Sequence, residues 1–291
     1  MFEGKARLKL RKVVIPAAGL GTRLLPATKA QPKEMLPLFT HVGGRTMLKP
    51  LLHVVFERLF EAGFREFCFI TGRGKRAMED YFTLDNGMIK FLGKNGHRLA
   101  ARELSRFYRM VDDAQIVWLN QPEPRGFGDA VQRAYTFTGK EPFLLHNGDT
   151  YIHSRGDYCV RRLRGVHERY NSEVTFLLER VKDPKHYGVI EGVPVERRVF
   201  RVEGIEEKPL RPKSDLAVVG VYILNPSVMD ALRRVKVRRG EEKQLTSAIK
   251  MLVKGGASVY GVELQRGETH IDIGNPERYW AALKATSMKW R

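Results

Sequence analysis

The chain has 291 residues, a formal net charge of +18 and an apolar content of 43%. That length and apolar share suit a globular protein with a sizeable core. No window reaches the roughly 18 apolar residues of a membrane span, and two isolated cysteines, Cys68 and Cys159, make neither a disulfide framework nor a metal site. The basic residues are scattered and form no zinc-finger, RNA-recognition or basic-zipper pattern. Charge alone therefore leaves three readings: a nucleic acid, an anionic small substrate, or surface ion pairing. Met1 to Lys12 is basic but lacks the apolar core of a signal peptide, so the cytoplasm is the expected address.

In chain order, KVVIPAA (12–18) reads as a buried strand and Leu48 to Ala62 as a helix with Pro50 in its first turn. EFCFIT (66–71) is a second strand, with Cys68 a small buried residue, and GKRAMEDYF (74–82) a short helix. Residues 83–113 carry a polar loop and a helical segment around ARELSRFYRMV. QIVWL (115–119), the helix 127–137 and the strand PFLLHNGD (142–149) follow. In the second half, strands are expected at 172–181, 199–208, 216–224 and 256–264, and helices at 226–235, 242–255 and 276–287. The alternation predicts an α/β fold of Rossmann-like type: a mixed, mostly parallel central sheet flanked by helices. No repeat, low-complexity tract or long Gly/Ser linker divides it. We therefore expect one domain over 1–291, with a first half at about 12–150 and a second at about 151–291.

The most informative stretch is VVIPAAGLGTRLLPATKAQPKEMLPLF, Val13 to Phe39. Its loop leaves the carboxyl end of the first strand, where open parallel sheets collect ligands. Gly19 and Gly21 permit unusual φ angles and close backbone approach, while Arg23 and Lys33 offer a forked donor and a mobile point charge. A Walker A loop is absent. The dinucleotide fingerprint fails at position 24, which is Leu24 rather than glycine, and the proline-rich sequence beyond Arg23 does not read as a phosphate-receiving helix. On these residues alone, a phosphate-binding loop and a structural turn with solvated charges both remain open.

AAGLGTRLLPATKAQPKEMLP resembles the signature of the sugar-1-phosphate nucleotidylyltransferases, and its TKAxPKEMLP form, with Glu34 after Lys33, is similar to the uridylyltransferase branch. NQPEPRGFGDAV (120–131), NGDTYI (147–152), YGVI (187–190), EEKP (206–209), QLTSAI (244–249) and HIDIGNPERYW (270–280) match the family in order. Ser247 stands where the family often has Asp, and FTHVGGRTML (39–48) looks like an insertion of unknown role.

The resemblance implies transfer of UMP from UTP to glucose 1-phosphate, with Mg²⁺ and no covalent enzyme intermediate. It assigns Arg23 to the triphosphate, Lys33 to the transferring phosphate and Lys208 to the sugar phosphate. Backbone at Ala17, Ala18, Gly19, Gly21 and Thr22 would meet the nucleotide, Gln121 would read the uracil edge and Gly126 would admit the base. Gly188, Glu207 and Gly220 would line the sugar pocket, and Asp149 and Asp272 would hold the metal. A dTTP-using or broad-specificity relative is the alternative, because thymine differs from uracil by one methyl. A catalytically silent nucleotide-sugar sensor is a further one, and the presence of Arg23, Lys33, Asp149 and Asp272 argues against it. No nucleic-acid or membrane partner is expected. Family members form dimers or tetramers, and the C-terminal helix with Trp280 and Trp290 could serve that contact or pack on the chain's own core.

Overall fold

The structure is a computed structural model that describes residues 10–154 and 159–287. Thirteen strands lie among the described residues: β1 (Lys12–Pro16), β2 (Pro37–Val42), β3 (Arg45–Pro50), β4 (Glu66–Thr71), β5 (Gln115–Asn120), β6 (Phe143–His146), β7 (Thr150–His153), β8 (Val174–Arg180), β9 (Gly188–Glu196), β10 (Val199–Glu207), β11 (Leu216–Leu224), β12 (Val259–Glu263) and β13 (Thr269–Asp272). The helices are α1 (Leu51–Glu61), α2 (Arg76–Tyr81), α3 (Asn86–Lys94), α4 (Arg98–Asp112), α5 (Phe127–Arg133), α6 (Tyr135–Thr138), α7 (Cys159–Arg169), α8 (Ser227–Arg234), α9 (Leu245–Lys254) and α10 (Pro276–Ser287).

Nine strands form one mixed sheet in the order β5-β4-β1-β6-β11-β8-β12-β10-β9. The first four are mutually parallel, as the βαβ rhythm predicts. Beyond them β11 runs antiparallel to both β6 and β8. The sheet then curls until β9 touches β11 again, through Ala217 and Val189.

Alternation along the central strands explains the layers. Val13, Ile15, Phe67 and Phe69 face one core, shared with Phe56 of α1 and Phe107 of α4. Val14, Cys68, Ile70, Phe143 and Leu145 face the other, under α5, α8 and α9. Both cysteines are buried and free, and burial pushes each thiol up to about 12.

Several boundaries differ from the sequence reading. The helix expected from Leu48 begins at Leu51, because Leu48 to Pro50 close a hairpin. Lys49 precedes a proline, which disfavours the helical region there. Residues 39–48, read as an insertion, fall within the β2–β3 hairpin, whose turn at Gly43 and Gly44 uses φ of 54° and 77°. The polar segment after residue 82 holds α3, capped by Asp85, whose carboxylate accepts a bond of 2.8 Å from the Met88 amide. The helix expected over 127–137 divides at Ala134. Strands β7, β9 and β13 and helix α7 lie where the sequence reading places no element. Trp280 is exposed, with the Lys284 ammonium over its ring, rather than packed in the core. Trp290 lies outside the described residues.

Candidate active site

The strand order reverses at β1, with β4 on one side and β6 on the other. Ligands of open α/β sheets collect at such a switch, beyond the carboxyl ends of the strands. A cavity of about 380 Å³ opens there. It is lined by the loop after β1, the residues after β6, the start of α5 and Glu242.

The loop is built from three short 3₁₀ turns, at Thr22–Leu24, Ala27–Lys29 and Lys33–Met35, rather than a helix. Gly21 enters the first with φ of 67°, a conformation that suits glycine. Its carbonyl accepts a bond of 2.8 Å from the Thr28 hydroxyl, which ties the loop's two ends together. Buried Leu24 and Leu36 anchor it. Arg23 therefore stands exposed on the cavity rim and makes no hydrogen bond or ion pair with any described residue.

Lys33 folds back beside Gly19, so that a side chain at that glycine would stand 3.7 Å from the ammonium. The ammonium donates to Asp149 Oδ2 at 2.5 Å. Burial pulls the Lys33 pKa down, but Asp149, Glu34 and Asp272 outweigh it and hold the ammonium above its ordinary value. Burial also opposes the charged form of Asp149, yet Lys33 prevails and keeps its carboxyl below the usual range. Glu34, 1% exposed, accepts from Lys75 at 2.8 Å beneath the loop. Its burial is only partly offset by Lys75 and Lys33, so its carboxyl lies above the usual range.

Asp149 and Asp272 are neighbours across a small antiparallel pair. Asp272 pairs with Thr150, and the Ile273 amide donates to the Asp149 carbonyl at 3.3 Å. Asp272 Oδ1 accepts from the Gly274 amide at 2.7 Å, and its Oδ2 accepts from Arg278. No group of three or more His, Cys, Asp or Glu residues gathers among the described residues. Two carboxylates at neighbouring strands, one paired with Lys33 and the other with Arg278, nevertheless suit a hard cation whose remaining ligands are phosphate oxygens and water.

Gln121, 5% exposed, faces the same cavity beside Gly126. Its Nε2 donates to the Gly126 carbonyl at 3.1 Å and to Asp129 Oδ2 at 2.8 Å. Gly126 takes φ of 109°, and a Cβ there would lie 2.6 Å from the Lys243 carbonyl oxygen. Ala18, Gly19, Gly21 and Thr22 line the cavity, while Ala17 is buried behind it, its amide donating to the Ile70 carbonyl.

The residues expected around a sugar group together but do not line this cavity. A side chain at Gly188 would meet Thr246 at 3.1 Å and Glu207 Oε2 at 3.4 Å. The Thr246 hydroxyl donates to Glu207 at 3.2 Å. Burial raises the Glu207 carboxyl, with Lys208 and Thr246 opposing. Lys208 is exposed and adopts φ of 45°, uncommon outside glycine. The link to the cavity is Gly220, with φ of 75°: its carbonyl accepts from the Asn147 amide at 2.8 Å, and a Cβ there would strike the Asn147 side chain at 2.7 Å.

Sequence reasoning assigned no role to Asn147, Asp129, Glu242 or Arg278. Asp129, Asn147 and Arg278 fall inside the motifs NQPEPRGFGDAV, NGDTYI and HIDIGNPERYW, whereas Glu242 carries no signal. A larger cavity of about 510 Å³, between α7 and the β9–β10 turn, holds none of the expected site residues. Its Arg162 and Arg169 are paired with Glu268 and Glu196.

The fold and cavity thus define a nucleotide-binding α/β protein equipped for anionic ligands. The nucleotidyl transferase family matches residues 12–289, and the chain belongs to it. A Methanocaldococcus jannaschii protein provisionally named UTP–glucose-1-phosphate uridylyltransferase is 38% identical over 260 residues, covering 88% of this chain and 86% of the relative. UTP–glucose-1-phosphate uridylyltransferase of Bacillus subtilis strain 168 is 36% identical over 249 residues, covering 84% and 80%. Among solved structures, UDP-glucose pyrophosphorylase complexed with UDP-glucose superposes with a TM-score of 0.81 at 29% identity, covering 96% of this chain and 98% of that one.

Proposed function

We propose that this chain transfers UMP from UTP to glucose 1-phosphate, giving UDP-glucose and pyrophosphate. The observation that carries the reading is the Lys33–Asp149 contact within a cavity that also presents Arg23, Gln121 and Gly126. An oxygen of the sugar phosphate attacks the α-phosphorus of UTP in line. One P–O bond forms, the bond to the bridging oxygen of pyrophosphate breaks, and no protein nucleophile intervenes. Repulsion among the phosphates opposes this, so positioning and positive charge are the main tools. Arg23 is free to reach the β- and γ-phosphates. Lys33 stabilises charge on the transferring phosphate. Lys208 and Glu207 hold the phosphate and hydroxyls of the sugar, with Gly188 and Gly220 leaving room for the ring. Ala17, Ala18, Gly19, Gly21 and Thr22 shape the wall for base and ribose.

Asp149 and Asp272 are the residues that would hold Mg²⁺, and their adjacency across the β7–β13 pair supports the fit. When bound, the ion supplies positive charge to the phosphate oxygens.

The unbroken sheet from β5 to β9 supports a single catalytic unit over 1–291, with 12–150 serving the nucleotide and 151–291 the sugar. The exposed Trp280 supports a homo-oligomeric contact through α10. The two free, buried cysteines accord with the cytoplasm. Among the described residues no helix is long and apolar enough to cross a membrane.

The test is pyrophosphate release from purified protein with Mg²⁺, glucose 1-phosphate and either UTP or dTTP. Turnover led by UTP is expected. No release with either nucleotide overturns the reading, and a strong preference for dTTP converts it to a thymidylyltransferase.

A further inference from the structure

We infer that Asp129 is a positioning residue that makes Gln121 a dedicated hydrogen-bond acceptor and thereby sets which nucleobases the cavity takes. This rests on the uridylyltransferase reading above. A glutamine amide is ambivalent: its oxygen accepts, its nitrogen donates, and the two ends exchange by rotation. Gln121 is not free to rotate. Its Nε2 meets two groups that can only accept, the Gly126 carbonyl at 3.1 Å and Asp129 Oδ2 at 2.8 Å. Turning the amide over would set its oxygen against both. Arg133, with Nε 3.7 Å from the same Asp129 oxygen, supplies the countercharge on the outer side. The main chain of Gln121 is tied as well, its amide donating to the Thr71 carbonyl at 2.7 Å.

The consequence falls on Oε1. It accepts no hydrogen bond from any described residue, and it belongs to a side chain that is nearly buried yet lines the cavity. A base whose ring nitrogen is seated against it must bring an N–H at that nitrogen. Uracil and thymine carry one at N3. Cytosine carries a lone pair at N3, and adenine one at N1, so either would face an acceptor with an acceptor. In that seat the lock disfavours CTP, which must shift to offer its N4 amino group instead, while leaving UTP and dTTP alike. A buried site that requires a donor discriminates strongly against a base lacking one. Asp129 touches no substrate in this arrangement; it acts through Gln121.

The experiment is calorimetric titration of UTP and CTP into the wild-type protein and into Asp129→Asn and Asp129→Glu. Steady-state kcat/KM for both nucleotides is measured alongside. Asparagine matches aspartate in shape but can present either end of its amide, so it releases half of the lock. In Asp129→Asn, UTP affinity should fall roughly tenfold, the weight of one directional hydrogen bond. The ratio of UTP to CTP affinity should narrow by roughly tenfold or more, and Asp129→Glu should restore part of it. A loss of fold alone would weaken both nucleotides equally and leave the ratio intact. An unchanged ratio in Asp129→Asn overturns the inference. Wild-type protein that binds UTP selectively but releases no pyrophosphate, with the ratio still collapsing in the variant, upholds the inference and refutes the enzymatic reading. Wild-type protein that binds neither nucleotide, or both equally, overturns the inference outright.

Discussion

Replacing Lys33 by methionine tests the centre of the site. The ammonium is 2.5 Å from Asp149 Oδ2, and the two side chains are 17% and 24% exposed. Removing one partner of a buried pair costs about 3–5 kcal/mol, because the other charge is left without compensation. Both groups retain some water contact, so we discount this to about 2–3 kcal/mol. At about 2 °C per kcal/mol for a chain of this size, Tm should fall by about 4–6 °C in metal-free buffer at neutral pH. The pH dependence has a definite sign. Lys33 holds the Asp149 pKa down, so the contact stabilises above the unfolded carboxyl value and is lost as pH falls through the folded one. The Tm gap between wild type and variant should therefore close below roughly pH 4. Loss of charge at the transferring phosphate should lower kcat/KM by about 10²–10³. Because the ammonium competes for the carboxylates expected to hold Mg²⁺, added Mg²⁺ should raise the Tm of the variant more than that of the wild type. Scanning calorimetry with and without EDTA reads both effects. A variant within 1 °C of wild type in EDTA, with activity within about twofold, would refute the argument that this pair organises the site.

Gly126→Ala forces a Cβ to 2.6 Å from the Lys243 carbonyl oxygen at a φ of 109°. Backbone strain of about 1–3 kcal/mol, and displacement of the segment whose Lys243 carbonyl accepts from Gly128, should raise KM for UTP tenfold or more with a smaller change in kcat, measurable by initial rates. Away from the site, burial raises Glu57, but the nearby His53 imidazole, 3.6 Å away, and the bonds from Lys49 prevail, bringing it from 4.5 to about 2. At 1.36 kcal/mol per pKa unit this contributes about 3 kcal/mol, fully present above pH 4.5 and lost as pH falls toward 2. Urea unfolding across that range should show a shallower acid limb for Glu57→Gln than for wild type; identical limbs would exclude this role.

How much was legible follows from where each signal resides. β1, β4 and β6 are short apolar runs bounded by turn residues, so local pattern suffices. The loop after β1 could be placed because a strand's carboxyl end and two glycines are sequence facts. The β2–β3 hairpin escaped because PLFTHV and RTMLKP mix polar and apolar residues without clean alternation, and its meaning lies in the Tyr279 hydroxyl donating to the Pro37 carbonyl from far along the chain. α3 escaped because it is short and weakly anchored: only Ile89 and Leu92 are half-buried, Ile89 against the core, while Met88 and Phe91 stay exposed, so the apolar stripe is thin. Gln121 was legible as a polar residue in a loop, but its orientation was not. That orientation depends on Asp129 one turn into the next helix and on a carbonyl that no side-chain identity announces.

The change of strand direction at β11 explains how the residues proposed for the sugar come near those proposed for the nucleotide. A wholly parallel sheet would send every carboxyl end to the same edge, with the sugar-side strands simply continuing the row. Here β11 descends against β6, and its register against β8 shifts between Val218 and Tyr222, where Gly220 adopts a φ of 75°. That irregularity lets the Gly220 carbonyl accept from the Asn147 amide beside the cavity. The sheet then curls back through Val189 onto Ala217, so Gly188 and Glu207 arrive next to Val218, two residues from Gly220. A side chain at position 220 would close this passage from both directions, by the φ it cannot adopt and by the 2.7 Å approach to Asn147. The glycine is therefore required by the joint between the loop after β1 and the proposed sugar pocket rather than by either alone. Substitution there should disturb glucose 1-phosphate and UTP binding together, unlike changes at Gly126 or Gly188.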